Sequence, residues 1–339
     1  MGRPDVTPVP AVAALAFSAV LLSGLTGCSE GAARRPSSSP SGDPGLTVVV
    51  TTGMVADLVR NVCGEHARVV QLMSSGVDPH LYKPTTSDIT QVTSADLVVY
   101  NGLMLEGGLQ SALERAAQRG RRVVAVASGL PDDRIRRSEQ LEGHPDPHVW
   151  MDVRAWSDCL DVIVEALSEL DPPHAAEFRA NAERYRGELK QLDDYCRRVI
   201  ASIPESQRWL VTAHDAFEYF SRAYGIPVRS VQGITTESEP GVEDINALVA
   251  FLRERRIPAL FVESSVSDRN LQAVIEGARR GGAEVAIGGR LFSDAMGQPG
   301  EYEGTYIGML DHNATVISRA LGGEAPPRGL HGRLAETPR

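Results

Sequence analysis

The sequence predicts an α/β fold with parallel sheets in two halves that are joined by one long helix. Short β-branched runs alternate with helical patterns before residue 131 and again after residue 208, which is the pattern of parallel sheets. Between the two series, residues 174–202 contain no proline and a single glycine, so they predict a rigid helix about 40 Å long. A chain of 339 residues is also long enough to form two cores.

The first series predicts four strands and three helices. We expect strands at 46–51, 69–73, 97–100 and 123–126, with helices at 55–62, 86–92 and 109–118. A polar loop at 131–147 follows. One amphipathic helix, 152–170, then ends at an Asp-Pro-Pro sequence, where proline cannot continue the helical hydrogen bonding.

The second series predicts four more strands with their helices. We expect strands at 209–212, 228–231, 260–262 and 284–287, with helices at 216–224, 241–255 and 268–279. The glycines at 288 and 289 are expected to connect the last strand to Asp294. A closing helix at 305–321 precedes a tail rich in proline and glycine, 323–339, which we expect to be disordered.

The N-terminus predicts export followed by attachment to a membrane. Arg3 precedes an apolar run, residues 11–22, which is too short to span a bilayer comfortably and is typical of a signal peptide. The run leads to a Leu-Thr-Gly-Cys sequence ending at Cys28, which resembles the bacterial lipobox, whose cysteine is lipidated. The alternative is an ordinary signal peptide with an incidental cysteine. Residues 29–45 are dominated by Ser, Pro and Gly and predict a flexible tether.

The overall charge and the remaining cysteines narrow the possible functions. A formal net charge of −10 argues against nucleic-acid binding, which requires a basic face. Cys63, Cys159 and Cys196 remain once Cys28 is assigned to lipid, and an odd number cannot pair completely. Cys159 and Cys196 lie on successive predicted helices, but a simple antiparallel arrangement aligns them poorly, so we expect no disulfide. The absence of Cys-x-x-Cys spacing argues against a cysteine metal site.

Four candidate metal ligands follow short apolar runs, two in each half of the chain. They are His80, His148, His214 and Asp294. Three imidazoles and one carboxylate make a closed set of ligands that suits a divalent transition metal. His80, His214 and Asp294 each follow a predicted strand, and open parallel sheets bind ligands beyond the carboxyl ends of their strands. The pattern therefore predicts one metal ion held between two lobes.

Each candidate also has an ordinary structural explanation. His80 and His148 both follow Asp-Pro, which fixes a turn, but a histidine in such a turn can also cap a helix or fill a core. His214 can be a buried core histidine, and Asp294 can be the cap of a short helix. His144 competes with His148 as a ligand, although it lies within the polar loop.

Two carboxylates are candidates to orient the ligands rather than to bind the metal. Glu263 follows a predicted strand, and Asp152 comes shortly after His148, so each can accept a hydrogen bond from an imidazole N–H. Asp215 is interpreted as a helix cap or a similar partner. The other histidines have the character of surface or helix-end residues; they are His66, His174, His312 and His331.

Together these motifs resemble those of the zinc- and manganese-binding solute-binding proteins of ABC transporters, the TroA/ZnuA/PsaA group. The segments that carry the resemblance, within 47–321, are 76–82, 146–152, 214–220, 261–265 and 288–296. It implies two Rossmann-like lobes joined by one long helix, with the metal bound between the lobes by the four ligands named above. The implied boundaries are a signal peptide at 1–27, a lipidated cysteine and tether at 28–45, an N-terminal lobe at 46–173, a linker helix at 174–203, a C-terminal lobe at 204–322 and the tail at 323–339.

The resemblance also implies a function. Such a protein is extracytoplasmic, monomeric and lipid-anchored to the cell membrane, and it delivers zinc or manganese, its transported substrate, to a permease driven by an ATPase. The 131–147 loop lacks the His-rich run that dedicated zinc members often carry, and His214 stands where manganese-selective members often have glutamate. The closest likeness is therefore to the TroA branch, whose pattern accepts either metal. By ligand softness, three imidazoles favour zinc.

Two other functions compete with this interpretation. A secreted metallohydrolase can also use three histidines and an aspartate, but it needs an open metal position and a nearby general base. The sequence contains no His-Glu-x-x-His motif, so we expect a binding protein rather than an enzyme. Adhesion is the other alternative, because some family members were first described as adhesins, and here it would be a secondary role.

Overall fold

The order of elements in the first half confirms the α/β prediction. The computed structural model describes residues 45–138 and 143–335. The strands are β1 (Leu46–Val50), β2 (Ala67–Gln71), β3 (Leu97–Tyr100) and β4 (Arg122–Ala125), and the helices are α1 (Gly53–Cys63), α2 (Thr86–Ser94) and α3 (Gln110–Gln118). The predicted signal peptide, Cys28 and nearly all of the tether lie outside the described residues, as do residues 336–339.

The four strands form one parallel sheet in the order β2-β1-β3-β4. Val48 pairs with Val69 on one side and with Leu97 on the other. The central strands are rich in buried valine, which is typical of a parallel sheet covered on both faces. Because all strands run the same way, their carboxyl ends lie at one edge, where the loops that follow them can meet.

Two helices and a short turn replace the single helix expected at 152–170. A 3₁₀ turn (Val149–Met151) leads into α4 (Val153–Asp158), and α5 (Leu160–Leu170) begins after Cys159. The thiol of Cys159 donates to the carbonyl of Ala155 at 3.4 Å. A continuous helix would use that carbonyl for the Cys159 N–H, so the side chain competes with the backbone where the helix is interrupted.

The long helix α6 (Ala175–Ala201) agrees with the prediction and lies at the centre of the fold. It packs against α1, α4 and α5 from the first half and against α7 and α10 from the second. Its buried side chains recur at helical spacing and include Phe178, Tyr185 and Leu192. They belong to one hydrophobic core that also contains Val48 of β1 and Ile317 near the end of the chain. The two halves therefore share a continuous core along α6.

The second half repeats the alternation of strands and helices. Its strands are β5 (Leu210–Thr212), β6 (Val228–Ser230), β7 (Ala259–Glu263) and β8 (Ala286–Leu291), and its helices are α7 (Glu218–Tyr224), α8 (Val242–Arg255), α9 (Arg269–Arg280) and α10 (Tyr306–Ala320). β5 pairs with β6 and β7 with β8, both in parallel, and β5 lies beside β7. A separate apolar cluster, which includes Leu252, Leu260 and Val274, packs α8 and α9 against these strands.

The last strand differs from its prediction because two glycines belong to it. Gly288 and Gly289 lie within β8 rather than in a connecting loop. A Cβ atom on Gly288 would come within 2.8 Å of the Phe261 ring, and one on Gly289, whose φ is +149°, within 2.5 Å of Val316. The register also shifts between Leu260 and Phe261, so Gly288 is an extra residue in the pairing. The glycines thus allow close packing of β8 against β7 and α10.

The tail is not disordered over its described part, 323–335, so that prediction is wrong there. The backbone N–H of Leu330 donates to both carboxylate oxygens of Asp311 on α10, at 2.8 and 2.9 Å. Leu334 is buried in the main core. The Asp311 carboxylate also accepts a hydrogen bond from Tyr302 at 2.9 Å. A buried carboxylate needs such donors, and the tail supplies one of them.

Two further features concern the cysteines and the membrane. Cys63, Cys159 and Cys196, the cysteines within the described residues, are buried free thiols. Within residues 45–138 and 143–335, none of the helices combines the length and the apolar character that crossing a bilayer requires.

Candidate metal centre

The four predicted ligands meet at one point beyond the ends of the strands. His214 and Asp294 come shortly after β5 and β8, while His148 directly precedes the 3₁₀ turn and His80 lies in the loop between β2 and α2. Each offers one ligand atom, and these four atoms lie within 4.8 Å of one another. Residues from both halves of the chain therefore build a single cluster.

The spacing of the ligand atoms fits a small ion. Nε2 of His80 lies 3.3 Å from Nε2 of His148. The Asp294 carboxylate places Oδ1 3.4 Å from Nε2 of His148 and Oδ2 3.1 Å from Nε2 of His214. Four ligands at zinc–nitrogen and zinc–oxygen distances in a tetrahedron are separated by about 3.3 Å. Several pairs of the cluster already have that separation.

Two buried carboxylates orient the histidines. Asp146 contacts Nδ1 of His148 at 2.7 Å, and Glu263 contacts Nδ1 of His214 at 2.5 Å. Because a carboxylate accepts from Nδ1–H, the lone pair of each ring remains on Nε2, which faces the centre of the cluster. Glu263 also accepts the backbone N–H groups of Ala213 and His214, at 2.7 and 2.9 Å. Glu263 therefore lies where it can orient the His214 ring, which is the role that the sequence predicts for it.

Asp152 does not have the orienting role that we expected, and Asp146 has it instead. Oδ1 of Asp152 accepts from the backbone N–H groups of Arg154 and Ala155, at 3.0 and 3.3 Å, so Asp152 caps the start of α4. The repeated Asp-Pro-His motif points to Asp146, because the aspartate of each copy lies next to its own histidine. In both copies the aspartate accepts the N–H of the histidine two residues later, at 3.0 Å for His148.

Burial and the neighbouring charges shift the pKa values of all four ligands. Burial lowers the pKa of His80 to about 3. Burial also acts to lower the pKa of His148, but the Asp146 and Asp294 carboxylates outweigh it and raise that pKa to about 9. At His214 the Asp294 carboxylate likewise outweighs burial and holds the pKa well above its usual value. Burial acts to raise the pKa of Asp294, but the His214 and His148 imidazoles hold it well below its usual range. The cluster therefore favours positive charge at its centre.

Two polar atoms in the cluster are buried and make no hydrogen bond of good geometry within the described residues, although each lies close to another ligand of the cluster. They are Nε2 of His214 and Oδ1 of Asp294. A buried polar atom that lacks a partner costs about 1–3 kcal/mol. A cation placed between the imidazoles and the carboxylate would be contacted by both atoms, so the residues present fit a bound metal ion.

The loop that carries His80 is fastened to the second half of the chain. The Thr236 hydroxyl donates to Oδ2 of Asp78 at 2.5 Å, and the Ser75 hydroxyl donates to the carbonyl of Gly297 at 2.7 Å. Oδ1 of Asp78 accepts the backbone N–H of His80 at 2.8 Å. Asp78 thus couples the position of His80 to the loop that contains Thr236.

The loop that carries His148 is held from both sides as well. The Asn101 side-chain amide donates to the carbonyl of Pro147 at 2.9 Å, and the Trp150 indole donates to the carbonyl of Ser293, also at 2.9 Å. Sequence reasoning missed both contacts, because a hydrogen bond between residues far apart in the chain leaves no local pattern. Both position ligands, since Pro147 precedes His148 and Ser293 precedes Asp294.

Access to the cluster is narrow. His148, His214 and Asp294 are buried, and only His80 is partly exposed. A cavity of about 170 Å³ reaches Asp294. A larger cavity of about 920 Å³ is lined by residues of β8, α10 and the segment after α10, away from the four ligands. The cluster therefore suits an ion better than an organic ligand, whose pockets are usually several hundred Å³.

The competing histidine lies elsewhere. His144 is exposed in the 131–147 loop, where its carbonyl accepts the N–H of Ser138 at 3.0 Å. His312 contacts the carbonyl of Arg290 at 2.9 Å. The structure thus brings together the four residues singled out from the sequence and leaves His144 outside the cluster.

Comparison with known proteins gives consistent matches over most of the chain. Residues 48–320 match the family described as zinc-uptake complex component A, periplasmic. The chain is similar to the manganese-binding lipoprotein MntA of Bacillus subtilis, with 44% identity over 297 residues that cover 88% of this chain and 95% of MntA. It is also 44% identical to the zinc-binding protein TroA of Treponema pallidum over 275 residues, covering 81% of this chain and 88% of TroA.

A solved structure shows the same fold. The periplasmic zinc-binding protein TroA from Treponema pallidum matches with a TM-score of 0.78 and 43% sequence identity. The match covers 81% of this chain and 99% of the TroA chain. The likeness therefore extends over nearly all of that protein.

Replacing Asp146 and Asp152 separately distinguishes an orienting carboxylate from a helix cap. We expect Asp146→Ala to weaken zinc binding about 10- to 100-fold, because His148 loses the acceptor that fixes its tautomer. Asp152→Ala should retain the affinity but lower the free energy of unfolding by about 1 kcal/mol through loss of the cap. Competition titration with a chromophoric chelator and urea unfolding measure the two effects. Equal losses of affinity in the two variants would contradict the assignment.

Removing the Thr236 hydroxyl tests the coupling of the His80 loop. A hydrogen bond to a charged group contributes about 1.5–3 kcal/mol, so Thr236→Val should accelerate zinc release about tenfold or more. Stopped-flow mixing of the loaded protein with excess chelator measures the rate, and Thr236→Ser should restore it. Thr235→Val is the matched control, since the Thr235 hydroxyl accepts the Glu237 N–H within the same loop. The coupling is wrong if Thr235→Val accelerates release as much as Thr236→Val.

Proposed function

The chain belongs to the zinc-uptake complex component A family, and from this premise we propose that it is the solute-binding component of an ABC importer for a divalent transition metal. It captures the ion with His80, His148, His214 and Asp294 and delivers it to a membrane permease, where an ATPase drives import. The proposed lobes are 46–173 and 204–322, with 174–203 as the linker helix. The protein acts as a monomer in this proposal.

One observation carries the proposal more than any other. Nε2 atoms of three imidazoles face one carboxylate, with separations of 3.1–3.4 Å between several of these atoms. Nε2 of His214 and Oδ1 of Asp294 are buried, and neither makes a hydrogen bond of good geometry within the described part of the chain. Such an arrangement is costly unless a cation completes it.

The proposed cargo is zinc or manganese. The relative named for manganese and the relative named for zinc have the same identity to this chain, 44%. Overall sequence similarity therefore does not distinguish the two metals, and the argument for either one rests on the chemistry of the ligands. Three imidazoles favour zinc by softness, whereas the oxygen ligands of Asp294 also suit manganese.

Capture exchanges water for protein ligands. The hydrated ion loses its water to three imidazoles and a carboxylate, and the ligands must give up any bound protons for this to occur. His80 is the partly exposed ligand, so its loop is the natural point of entry and exit. Because α6 and the shared core join the two halves, we propose that release requires a small movement of this loop rather than a wide opening.

The metal is proposed to be cargo rather than a catalytic centre. A catalytic zinc keeps one position open for water or substrate and has a general base beside it. Four protein ligands at tetrahedral spacing leave no such position. The carboxylates next to the site, Asp146 and Glu263, are engaged with the outer nitrogens of His148 and His214.

Membrane attachment is proposed through lipid on Cys28, which lies outside the described residues. Two observations support it. The motif ending at Cys28 resembles a lipobox, and relatives such as MntA are named as lipoproteins. The protein would then be held outside the cytoplasm close to its permease.

Metal-binding assays on three histidine variants test the shared site. We expect His148→Ala and His214→Ala, one change in each half, to weaken zinc binding by well over tenfold, because each removes an inner-sphere nitrogen. His144→Ala is the matched control and should change the affinity by no more than about twofold, as expected for an exposed position. Competition titration measures all three, with circular dichroism to show that each variant is folded. Equal losses for His144→Ala and His148→Ala would reject the proposed site.

Cell fractionation tests the anchor. If Cys28 carries the lipid, Cys28→Ala should move the protein from the membrane fraction to the soluble fraction or the medium, because the tether alone has no apolar segment. Immunoblotting of fractions after a high-salt wash measures the distribution. A variant that stays with the membranes after the wash would contradict lipidation at Cys28.

A further inference from the structure

A second cluster of metal-ligating side chains lies at the start of α6, away from the four-ligand cluster of His80, His148, His214 and Asp294, which we call the cleft site. His66 lies between α1 and β2, Asp171 directly follows α5, and His174 immediately precedes α6. One ligand atom from each of these three residues lies within 4.8 Å of the others. Glu177, in the first turn of α6, adds a second carboxylate. Sequence reasoning treated the two histidines as separate surface residues, and the fold brings them together.

Within this cluster, each imidazole contacts one carboxylate. Nδ1 of His174 lies 2.7 Å from Asp171, and Nε2 of His66 lies 2.9 Å from Glu177. The two imidazole rings stack with their centroids 3.9 Å apart, and the buried Phe178 ring meets the His66 ring edge-on at 5.8 Å. Two imidazoles and the Asp171 carboxylate therefore lie together beside an apolar ring, and the Glu177 carboxylate adjoins them through its contact with His66.

The exposure of these groups allows an ion to enter. The side chains are 24% exposed for His66, 43% for His174, 19% for Asp171 and 55% for Glu177. They are thus accessible from solvent without being fully hydrated. His174 and Glu177, the more exposed pair, can turn without disturbing the core.

We propose that His66, Asp171 and His174 form a second binding site for a divalent transition metal, and that Glu177 turns inward to supply the fourth ligand. Two imidazoles and two carboxylates match the preference of zinc, copper or nickel, whereas calcium and magnesium prefer oxygen ligands alone. Tetrahedral zinc requires ligand atoms about 3.3 Å apart. The two stacked imidazole rings must therefore tilt so that one nitrogen of each points at the ion. This rearrangement makes the second site weaker than the cleft site, whose atoms need less movement.

The position of the second site indicates what the metal does there. It ties the α1–β2 connection to the corner between α5 and α6, and α6 is the helix that both halves share. A bound ion would therefore stabilise the first turn of the central helix. It would not alter the cleft ligands, and the inference does not depend on the proposed transport function.

Zinc stoichiometry tests the second site. Equilibrium dialysis of the full mature chain against zinc, followed by elemental analysis, should give two zinc ions per chain at saturation. His174→Ala should bind one, and so should Asp171→Asn, a variant that keeps the size of the side chain. His144→Ala removes an exposed histidine from another loop and should still bind two. Excess magnesium should displace neither ion.

The outcomes separate this inference from the cleft site. A wild-type chain that binds one zinc, lost in His148→Ala but not in His174→Ala, would overturn the second site and leave the cleft intact. Two zinc ions that both survive His174→Ala and Asp171→Asn would also overturn the assignment. Loss of the second ion in both variants, with the cleft ion retained, is the result expected.

Discussion

This fold buries the Asp294 carboxylate between the imidazoles of His148 and His214. Because a buried charge is costly unless it is paired, the positions of these three side chains depend on one another. Two more buried carboxylates, Asp146 and Glu263, contact the outer nitrogens of the same rings. Three buried carboxylates around two imidazoles favour positive charge in the site, which is the basis of the proposed metal centre. The rest of the structure serves to keep these groups in place, because a shift of about 1 Å would break the ligand geometry.

The shared core explains how two halves of a chain can hold one small site. α6 packs against helices from both halves, and the same apolar cluster contains Val48 and Ile317. The loops at the strand ends are then cross-linked by hydrogen bonds such as Thr236 to Asp78 and Trp150 to the Ser293 carbonyl. In the proposed function these cross-links favour retention of the ion, and its release begins with movement of the loops rather than of the halves.

Much of this could be predicted from the sequence, because periodicity gives the element types and the repeated Asp-Pro-His motif marks two ligands. The errors arose where contacts between distant residues decide the outcome. Asp152 is the expected partner of an imidazole from its spacing, but Asp146 contacts the His148 ring, because spacing does not reveal which carboxylate faces a ring. Gly288 lies in β8 rather than in the predicted loop, because its close packing against α10 leaves no local sequence pattern. The tail was expected to be disordered because its partner, Asp311, is on another element.

The central claim is that one ion is bound by four side chains from both halves of the chain. Crystallographic data collected at the zinc edge from the zinc-loaded protein test this most directly. The account predicts an anomalous peak within about 2.0–2.2 Å of Nε2 of His80, His148 and His214 and of an Asp294 oxygen. A peak bound only by His80 and His148, with water completing its coordination, would contradict the two-sided site.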